Sequence, residues 1–163
     1  MLTVIIPVLN ESNTIGNVVQ FCFRNSQVTE VIVVDDKSED GTAEIAAANG
    51  AKVIISEVRG KGLSMKDGIQ HATNDMIIFL DGDIDPYPEE AIQLLCDPLL
   101  KNEADFVKGS FSRNAGRVTE LVAKPLLHIF YPGLAGFLQP LSGMIAGRRS
   151  FFKKIEFAND YGV

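Results

Sequence analysis

The sequence predicts an α/β fold with a mostly parallel β-sheet and helices on both faces. Short runs of apolar, often β-branched residues alternate with segments of helical period through the first hundred residues. These runs are apolar throughout, which is typical of parallel strands covered on both sides. At 163 residues the chain has the size of one domain. We therefore expect a single domain over 1–163, with a first half at 1–85 and a second half at 86–163.

The elements of the first half follow in order along the chain. Apolar runs predict four strands, at 2–8, 31–34, 52–55 and 76–80. Helices are predicted after Asn10, at Asp40, after Gly62 and from Pro88, where capping residues or proline precede apolar residues at helical spacing. Beyond Lys108 the pattern is less regular, and we expect a polar loop over 109–117 and a helix over 116–129.

Charge and cysteine content narrow the function classes. The net charge is −6, and no cluster of basic residues is longer than a pair, which argues against binding to nucleic acid. Cys22 and Cys96 lie in apolar surroundings without the spacing of a zinc or redox site, so we expect buried thiols. Met1 leads straight into a strand with no basic segment, and we expect a cytoplasmic protein.

The segment 125–147 contains no Lys, Arg, Asp or Glu. Its 23 residues are enough to span a bilayer, but three prolines and four glycines interrupt it. We interpret it as buried core, a subunit interface or a substrate-facing loop, with contact to a membrane surface as the lesser alternative. His128 within it is expected to be a core histidine, whereas His71 is expected to be exposed.

Acidic residues follow three of the predicted strands. Asn10-Glu11, Asp35-Asp36 and Asp81-Gly82-Asp83 each stand just beyond an apolar run. The carboxyl ends of parallel strands share one edge of a sheet, so these groups would converge and repel one another. A divalent cation, Mg²⁺ or Mn²⁺, would relieve that repulsion. In an extended segment Asp81 and Asp83 would point the same way, with Asp85 a further candidate; a solvated acidic turn is the alternative.

Basic and glycine-rich segments supply candidate anion sites. In Gly60-Lys61-Gly62 the glycines allow close approach of a phosphate that Lys61 could neutralise. Gly116-Arg117-Val118-Thr119 stands at a predicted helix start, where backbone amides, a guanidinium and a hydroxyl could bind an anion. A simple turn and a solvent-facing Arg117 are the alternatives. Arg148-Arg149 is either a surface pair or a phosphate contact.

Together these motifs resemble the nucleotide-sugar glycosyltransferases of the GT-A fold. The segments 4–11, 33–42, 60–62 and 81–83 occur in the order and spacing of that family. The resemblance implies donor-binding roles for the residues that match its motifs, namely Pro7, Leu9, Asn10, Glu11, Asp36, Ser38, Lys61, Asp81 and Gly82. It also implies that Asp83, with Asp81, binds the metal.

The second half resembles the glucosyl-3-phosphoglycerate synthases. The matching segments are 106–109, 116–121, 136–143 and 146–149. The resemblance implies that Gly116, Arg117 and Thr119 bind the acceptor, 3-phosphoglycerate. Met144 stands where that family usually has an acidic residue. The family continues past Val163 to a glutamate near the reacting sugar and a histidine metal ligand, so the chain is expected to be the first part of a larger enzyme.

The resulting hypothesis is metal-dependent transfer of a hexose, expected to be glucose, from a nucleoside diphosphate sugar to 3-phosphoglycerate. Two alternatives remain open. One is a polyprenyl-phosphate sugar transferase, in which 125–147 would touch a membrane. The other is a nucleotide-sugar-binding module without catalytic activity. We expect a homodimer and no nucleic-acid partner.

Overall fold

The computed structural model describes residues 1–110 and 118–156, which are built around a six-stranded sheet. The strands are β1 (Leu2–Val8), β2 (Val28–Asp35), β3 (Lys52–Ile55), β4 (Met76–Phe79), β5 (Phe106–Lys108) and β6 (Ile145–Arg148). Their spatial order is β3-β2-β1-β4-β6-β5. The first four pair in parallel, whereas β6 runs antiparallel to β4 and to β5. The predicted mostly parallel α/β sheet is confirmed.

Helices cover both faces of this sheet. These helices are α1 (Ile15–Arg24), α2 (Thr42–Ala48), α3 (Lys61–His71), α4 (Ala91–Leu100) and α6 (Arg149–Phe152), whereas α5 (Lys124–Phe130) packs mainly against its neighbouring turns. A π-helical turn, Thr119–Ala123, leads directly into α5, and a 3₁₀ turn, Pro132–Leu134, follows it. One buried cluster joins α1, α2 and α4 to the sheet, and a second joins α3 and α6 to the opposite face.

The two clusters explain the apolar strands. Along β1, Val4 and Ile6 pack into the first cluster while Ile5 between them packs into the second. All three side chains are fully buried. Burying an aliphatic side chain of this size contributes about 1.5–3 kcal/mol. A strand covered on both faces therefore needs apolar residues at most positions, and a buried polar residue such as Thr3 needs a hydrogen-bond partner.

Several element boundaries differ from the prediction. The strand expected to reach Leu80 ends at Phe79, although the Leu80 amide still donates to the Ile5 carbonyl at 3.1 Å. Helix α4 begins at Ala91, three residues after Pro88, whose carbonyl accepts the Ala91 amide at 3.0 Å. Helix α3 begins at Lys61 itself. Within the described residues, the helix expected over 116–129 is present from 118 to Phe130, first as a π-helical turn and then as α5; residues 116 and 117 lie outside the described residues.

The segment that contains α5 is largely exposed over 125–141, so its interpretation as buried core is wrong there, whereas Ser142 and Met144 just before β6 are buried. No residue of α5 is buried, and His128, expected in the core, is exposed. The cause is local, because α5 packs mainly against the turns on either side of it in the chain. Among residues 1–110 and 118–156, no helix is both long and apolar enough to cross a membrane.

Two smaller predictions are confirmed. His71 is exposed. Cys22 and Cys96 are buried and unpaired with each other. Burial raises the pKa of the Cys22 thiol to about 12, so it stays protonated and unreactive at neutral pH.

Candidate functional site

The carboxyl ends of β1, β2 and β4 enclose a cavity of about 400 Å³. Most of the residues predicted to bind the donor or the metal line it: Pro7, Leu9, Glu11, Asp36, Lys61, Asp81, Gly82 and Asp83. The strand-end rule explains this convergence, because parallel strands deliver the residues that follow them to one edge. The expected acidic cluster is therefore present in space.

Two predicted donor-binding residues, Asn10 and Ser38, lie outside the cavity wall and tie its loops together. The Asn10 amide donates to Ser38 Oγ at 2.8 Å, and Asn10 Oδ1 accepts the Glu39 amide at 2.9 Å. Ser38 in turn donates its own amide to Asp35 Oδ1 at 2.9 Å. These contacts fix the loop after β1 to the loop after β2.

A second tie joins the same loops beside Glu11. The Glu11 amide donates to Thr42 Oγ1 at 2.9 Å, and the Ser12 amide donates to Asp40 Oδ2 at 3.0 Å. The hydrogen bond from the Thr42 hydroxyl is the main reason that the pKa of Asp40 falls to about 2. Partial burial, followed by the charges of Asp83 and Asp40, raises the pKa of Glu11. The Glu11 carboxyl thus faces like charges across the cavity.

Asp36 connects the end of β2 to the start of α3. It is only 2% exposed, and its Oδ2 accepts the Gly60 amide at 2.9 Å. Gly60 has φ +148°, a backbone conformation that other residues rarely adopt. The first glycine of Gly60-Lys61-Gly62 is therefore needed for this turn, and the turn places Lys61 at the first position of α3.

Lys61 forms an ion pair with Asp81 across the cavity. Its Nζ lies 2.8 Å from Asp81 Oδ1. Gly143 covers the same carboxylate so closely that a β-carbon at this position would collide with it. Sequence reasoning did not assign a role to Gly143 or to Leu141, which also lines the cavity. Both come from a segment more than fifty residues farther along the chain, so no local pattern connects them to the site.

The segment Asp81-Gly82-Asp83 forms a turn, not the extended segment expected from alternation. Both carboxylates still line the cavity. The Gly82 carbonyl accepts the Thr14 hydroxyl at 2.7 Å, which holds the middle of the turn. Asp85, the further candidate, does not line this cavity, and its Oδ2 accepts Asn17 Nδ2 at 2.7 Å.

Asp81 and Asp83 fit a divalent cation shared with a ligand. Mg²⁺ is usually held by one or two carboxylates and completes its coordination with water and phosphate oxygens. Within residues 1–110 and 118–156, no three acidic, histidine or cysteine side chains form a group that could hold a metal by themselves. Two carboxylates beside a cavity therefore suit a cation that arrives with a diphosphate.

The predicted acceptor residues are placed only in part. Gly116 and Arg117 lie outside the described residues. Thr119 is 7% exposed at the start of the π-helical turn and does not line the cavity. Arg148 and Arg149 lie near the amino end of β4, away from the cavity: Arg148 pairs with Asp75 at 3.3 Å, and Arg149 Nε donates to a carbonyl at the end of α3.

Lys108 stabilises the segment that covers Asp81. Its Nζ donates to the Ser142 carbonyl at 2.6 Å, and burial lowers its pKa. Met144, which stands where the resembled family has an acidic residue, is 8% exposed and packs into the first buried cluster.

Comparison with known proteins identifies the family. The chain matches the profile of glycosyl transferase family 2 over residues 3–156. It belongs to glycosyl transferase family 2. This membership confirms the resemblance on which the site was first predicted.

Individual relatives of this family 2 chain include two curated enzymes. It is 38% identical to glucosyl-3-phosphoglycerate synthase of Mycolicibacterium smegmatis, over 99% of this chain and 61% of that protein. It is 35% identical to the glucosyl-3-phosphoglycerate synthase of Petrotoga mobilis, over 96% of this chain and 56% of that protein. The chain thus spans about three fifths of the length of these relatives.

The solved structures agree with this assignment. Glucosyl-3-phosphoglycerate synthase from Mycobacterium tuberculosis, in complex with Mn²⁺, UDP-glucose and phosphoglyceric acid, superposes with a TM-score of 0.93 at 35% identity. The match covers 100% of this chain and 62% of that one. Another structure of that enzyme contains Mg²⁺ and UDP and gives a TM-score of 0.92 at 37% identity. The expected GT-A fold is confirmed.

Proposed function

We propose that the protein binds UDP-glucose with a divalent cation in the cavity at the carboxyl ends of β1, β2 and β4, and that it serves transfer of glucose to 3-phosphoglycerate. The observation that carries this proposal is the convergence of Glu11, Asp36, Asp81 and Asp83 on one cavity that also contains Lys61. Such a cluster is repulsive unless cations offset it. A divalent metal supplies that positive charge, and oxygens of a diphosphate complete its coordination.

Each part of the donor has candidate partners on the cavity wall. Buried Asp36 is suited to accept a hydrogen bond from the base, beside the walls formed by Pro7 and Leu9. Asp83 and Asp81 would hold Mg²⁺ or Mn²⁺, and Gly82 allows the turn between them, because a β-carbon there would collide with Val8. Lys61 would donate to the diphosphate, whose negative charge grows as the bond to the sugar breaks.

Asn10 and Ser38, which lie outside the cavity wall, support donor binding indirectly, because they fix the loops that form the wall. Their hydrogen bonds hold Pro7, Leu9 and Glu11 at the entrance of the cavity before any ligand arrives. Such pre-organisation lowers the entropy lost on binding. We propose them as donor-site residues in this supporting sense.

The acceptor part of the proposal concerns Gly116, Arg117 and Thr119. A phosphate and a carboxylate in one small molecule call for a guanidinium and a hydroxyl near a helix start. The likeness to relatives whose structures contain phosphoglyceric acid supports this choice. The same likeness favours glucose and uridine over other sugars and bases.

The decisive experiment separates binding from transfer. Calorimetry with UDP, UDP-glucose and GDP-mannose, each with Mn²⁺ and with EDTA, should give metal-dependent binding that is tightest for the uridine compounds. Radiolabelled UDP-glucose with 3-phosphoglycerate then tests transfer. Equal UDP affinity in Mn²⁺ and in EDTA would refute the donor site. Binding without transfer would support the module without catalytic activity.

One observation favours a second acceptor. Between residues 118 and 141 the protein exposes large apolar side chains, among them Leu121, Ile129 and Phe130, each at least 66% exposed. A lipid phosphate would suit such a surface. Offering polyprenyl phosphate and 3-phosphoglycerate in parallel transfer assays decides between them, since label should enter only the water-soluble product if the first proposal holds.

The same exposed side chains support the expected homodimer. A second copy could cover them, because the segment 125–147 carries no Lys, Arg, Asp or Glu to repel its partner. Sedimentation equilibrium tests this expectation, and a stable monomer at micromolar concentration would refute it.

A further inference from the structure

The Tyr87 hydroxyl contacts the backbone of the acidic turn, Asp81-Gly82-Asp83. Tyr87 lies in the loop between β4 and α4, and it is 7% exposed. The Asp81 amide donates to the Tyr87 oxygen at 2.9 Å, and the Tyr87 hydroxyl donates to the Asp81 carbonyl at 2.8 Å. One phenol therefore satisfies both backbone groups of Asp81.

Asp81 needs this support because the sheet ends just before it. The last paired residue of β4 with β1 is Phe79, and the Leu80 amide still reaches the Ile5 carbonyl. Asp81 stands beyond that ladder, so its amide and carbonyl lack strand partners. A backbone group left without a partner away from water destabilises the fold, so each of these groups needs another partner. The Tyr87 hydroxyl supplies the hydrogen-bond partners that the sheet does not provide for Asp81.

The tyrosine ring is itself held in place. It stacks on Phe21 of α1, with the ring centroids 5.3 Å apart and the planes 16° from parallel. Burial, followed by the charge of Asp81, raises the pKa of the Tyr87 phenol, so the hydroxyl keeps the proton that it donates. Tyr87 thus connects the acidic turn rigidly to the packed face of α1.

The Asp81 side chain has little freedom to move. Its Oδ1 lies 2.8 Å from Lys61 Nζ, and Gly143 leaves no room above it for even a β-carbon. A shift of the Asp81 backbone would therefore break the ion pair or drive the carboxylate into Gly143. The geometry of the backbone decides whether the carboxylate can face a cation.

We propose that Tyr87 is a positioning residue that holds Asp81 in the geometry needed to bind a divalent cation together with the donor diphosphate. This inference rests on the proposed function, because it assigns to Tyr87 a part in the same site. It predicts that the phenolic hydroxyl affects metal-dependent binding more than it affects folding.

Tyr87→Phe removes the hydroxyl and keeps the stacked ring. The measured quantity is metal coupling, the ratio of the UDP dissociation constant in EDTA to that in Mn²⁺, determined by calorimetry. We expect coupling to fall about tenfold, since two hydrogen bonds of ordinary strength are lost. UDP affinity in EDTA should change less than twofold, because Asp36 and the walls formed by Pro7 and Leu9 are untouched.

Phe21→Leu is the matched control, because it removes the ring stack and keeps the hydroxyl. It should lower the thermal midpoint at least as much as Tyr87→Phe while lowering coupling much less, because the buried hydroxyl keeps both hydrogen bonds to the Asp81 backbone. Loss of coupling in both variants in proportion to their loss of thermal stability would show a merely structural role and overturn the inference. Unchanged coupling in Tyr87→Phe would overturn it as well, with the donor site intact.

A further measurement requires no substitution. Hydrogen exchange of the Asp81 amide should be as slow as that of the strand amides, although Asp81 lies outside the sheet. Exchange at the rate of an exposed loop would overturn the inference even if Tyr87→Phe failed to fold. Equal UDP affinity of the unsubstituted protein in Mn²⁺ and in EDTA would overturn the proposed function and this inference together.

Discussion

Carboxylates at the two edges of the sheet have opposite surroundings. At the amino edge, Glu30 Oε2 accepts the Thr3 hydroxyl at 2.6 Å and both the amide and hydroxyl of Thr73, at 2.9 and 3.0 Å. At the carboxyl edge, Glu11, Asp81 and Asp83 line an open cavity. The first edge satisfies its carboxylate internally, whereas the second leaves carboxylates available to a ligand.

The pKa shifts of Glu30 and Glu11 follow the same division, whereas Asp40, which hydrogen bonds hold in the loops at the carboxyl edge, has a lowered pKa as Glu30 does. Partial burial alone would raise the pKa of Glu30, but the hydrogen bonds from Thr3 and Thr73, with the charge of Lys52, lower it overall. At the other edge, burial and the nearby charge of Asp83 raise the pKa of Glu11. A carboxylate that holds the fold together is surrounded by donors, and one that awaits a cation is surrounded by other carboxylates.

The largest expected effect is at Asp83. Asp83→Ala should weaken UDP binding in Mn²⁺ by about 100-fold, the upper range for losing a group that supports a bound metal. UDP binding in EDTA should barely change. Asp83 is exposed, so thermal stability should hold. Calorimetry checks both conditions.

The matched control for Asp83 is Asp75→Ala at the amino edge. Asp75 is also exposed and pairs with Arg148. Its loss should leave UDP affinity unchanged. If the two variants bound UDP equally well in Mn²⁺, the functional contrast between the edges would be refuted.

The next effect concerns Lys61. Lys61→Met keeps the length of the side chain and removes the ammonium that pairs with Asp81. We expect about a tenfold loss of UDP affinity, the size of one charge-assisted hydrogen bond. Lys52→Met is the control, because Lys52 donates to the His71 carbonyl outside the cavity wall. Equal calorimetric losses in both variants would point to net charge instead of a local contact.

Much of this site was predictable because parallel strands obey a topological rule. Apolar runs located the four parallel strands, and the rule then brought Glu11, Asp36, Asp81 and Asp83 to one edge. The antiparallel strands β5 and β6 were not predicted. β6 reads Ile-Ala-Gly-Arg, a composition without a strand pattern, and its pairing with β4 depends on a contact about seventy residues away.

The unpredicted parts of the site act through backbone and shape. Tyr87 bonds to the main chain of Asp81, and Gly143 matters because it lacks a side chain. Neither property leaves a periodic signal in the sequence. The exposure of His128 was not predicted for a related reason. Apolar neighbours in the sequence suggest burial, but they do not determine whether another element packs against the helix.

A smaller effect is expected at Thr3 on the amino edge, where a substitution should change stability and not UDP binding. Thr3 is fully buried, and its hydroxyl donates to Glu30 while accepting Asn74 Nδ2 at 3.1 Å. Thr3→Val should lower the free energy of unfolding by about 2 kcal/mol, because the half-buried Glu30 and Asn74 each lose a hydrogen bond. Thr29→Val, at an exposed neighbour, should cost under about 0.5 kcal/mol. Urea unfolding measures both changes.

Thr3→Val should also leave UDP affinity unchanged. A variant that lost both stability and UDP binding would show that the two edges are coupled through the sheet. Calorimetry on the folded variant decides this, and the Thr29→Val protein provides the reference.

The smallest effect is a pH dependence that belongs to Glu30. Its pKa in the folded protein lies below the ordinary 4.5, so its contribution to stability is complete above pH 4.5 and is lost as pH falls through the folded value. Urea midpoints of the native protein should therefore fall more steeply between about pH 5 and pH 3 than those of Glu30→Gln. Glu11, whose pKa is raised, acts with the opposite sign and is common to both proteins, so it cancels in the comparison. Parallel curves would mean that the Thr3 and Thr73 donors do not favour the charged form of Glu30, and the contrast between the two edges would then rest on position alone.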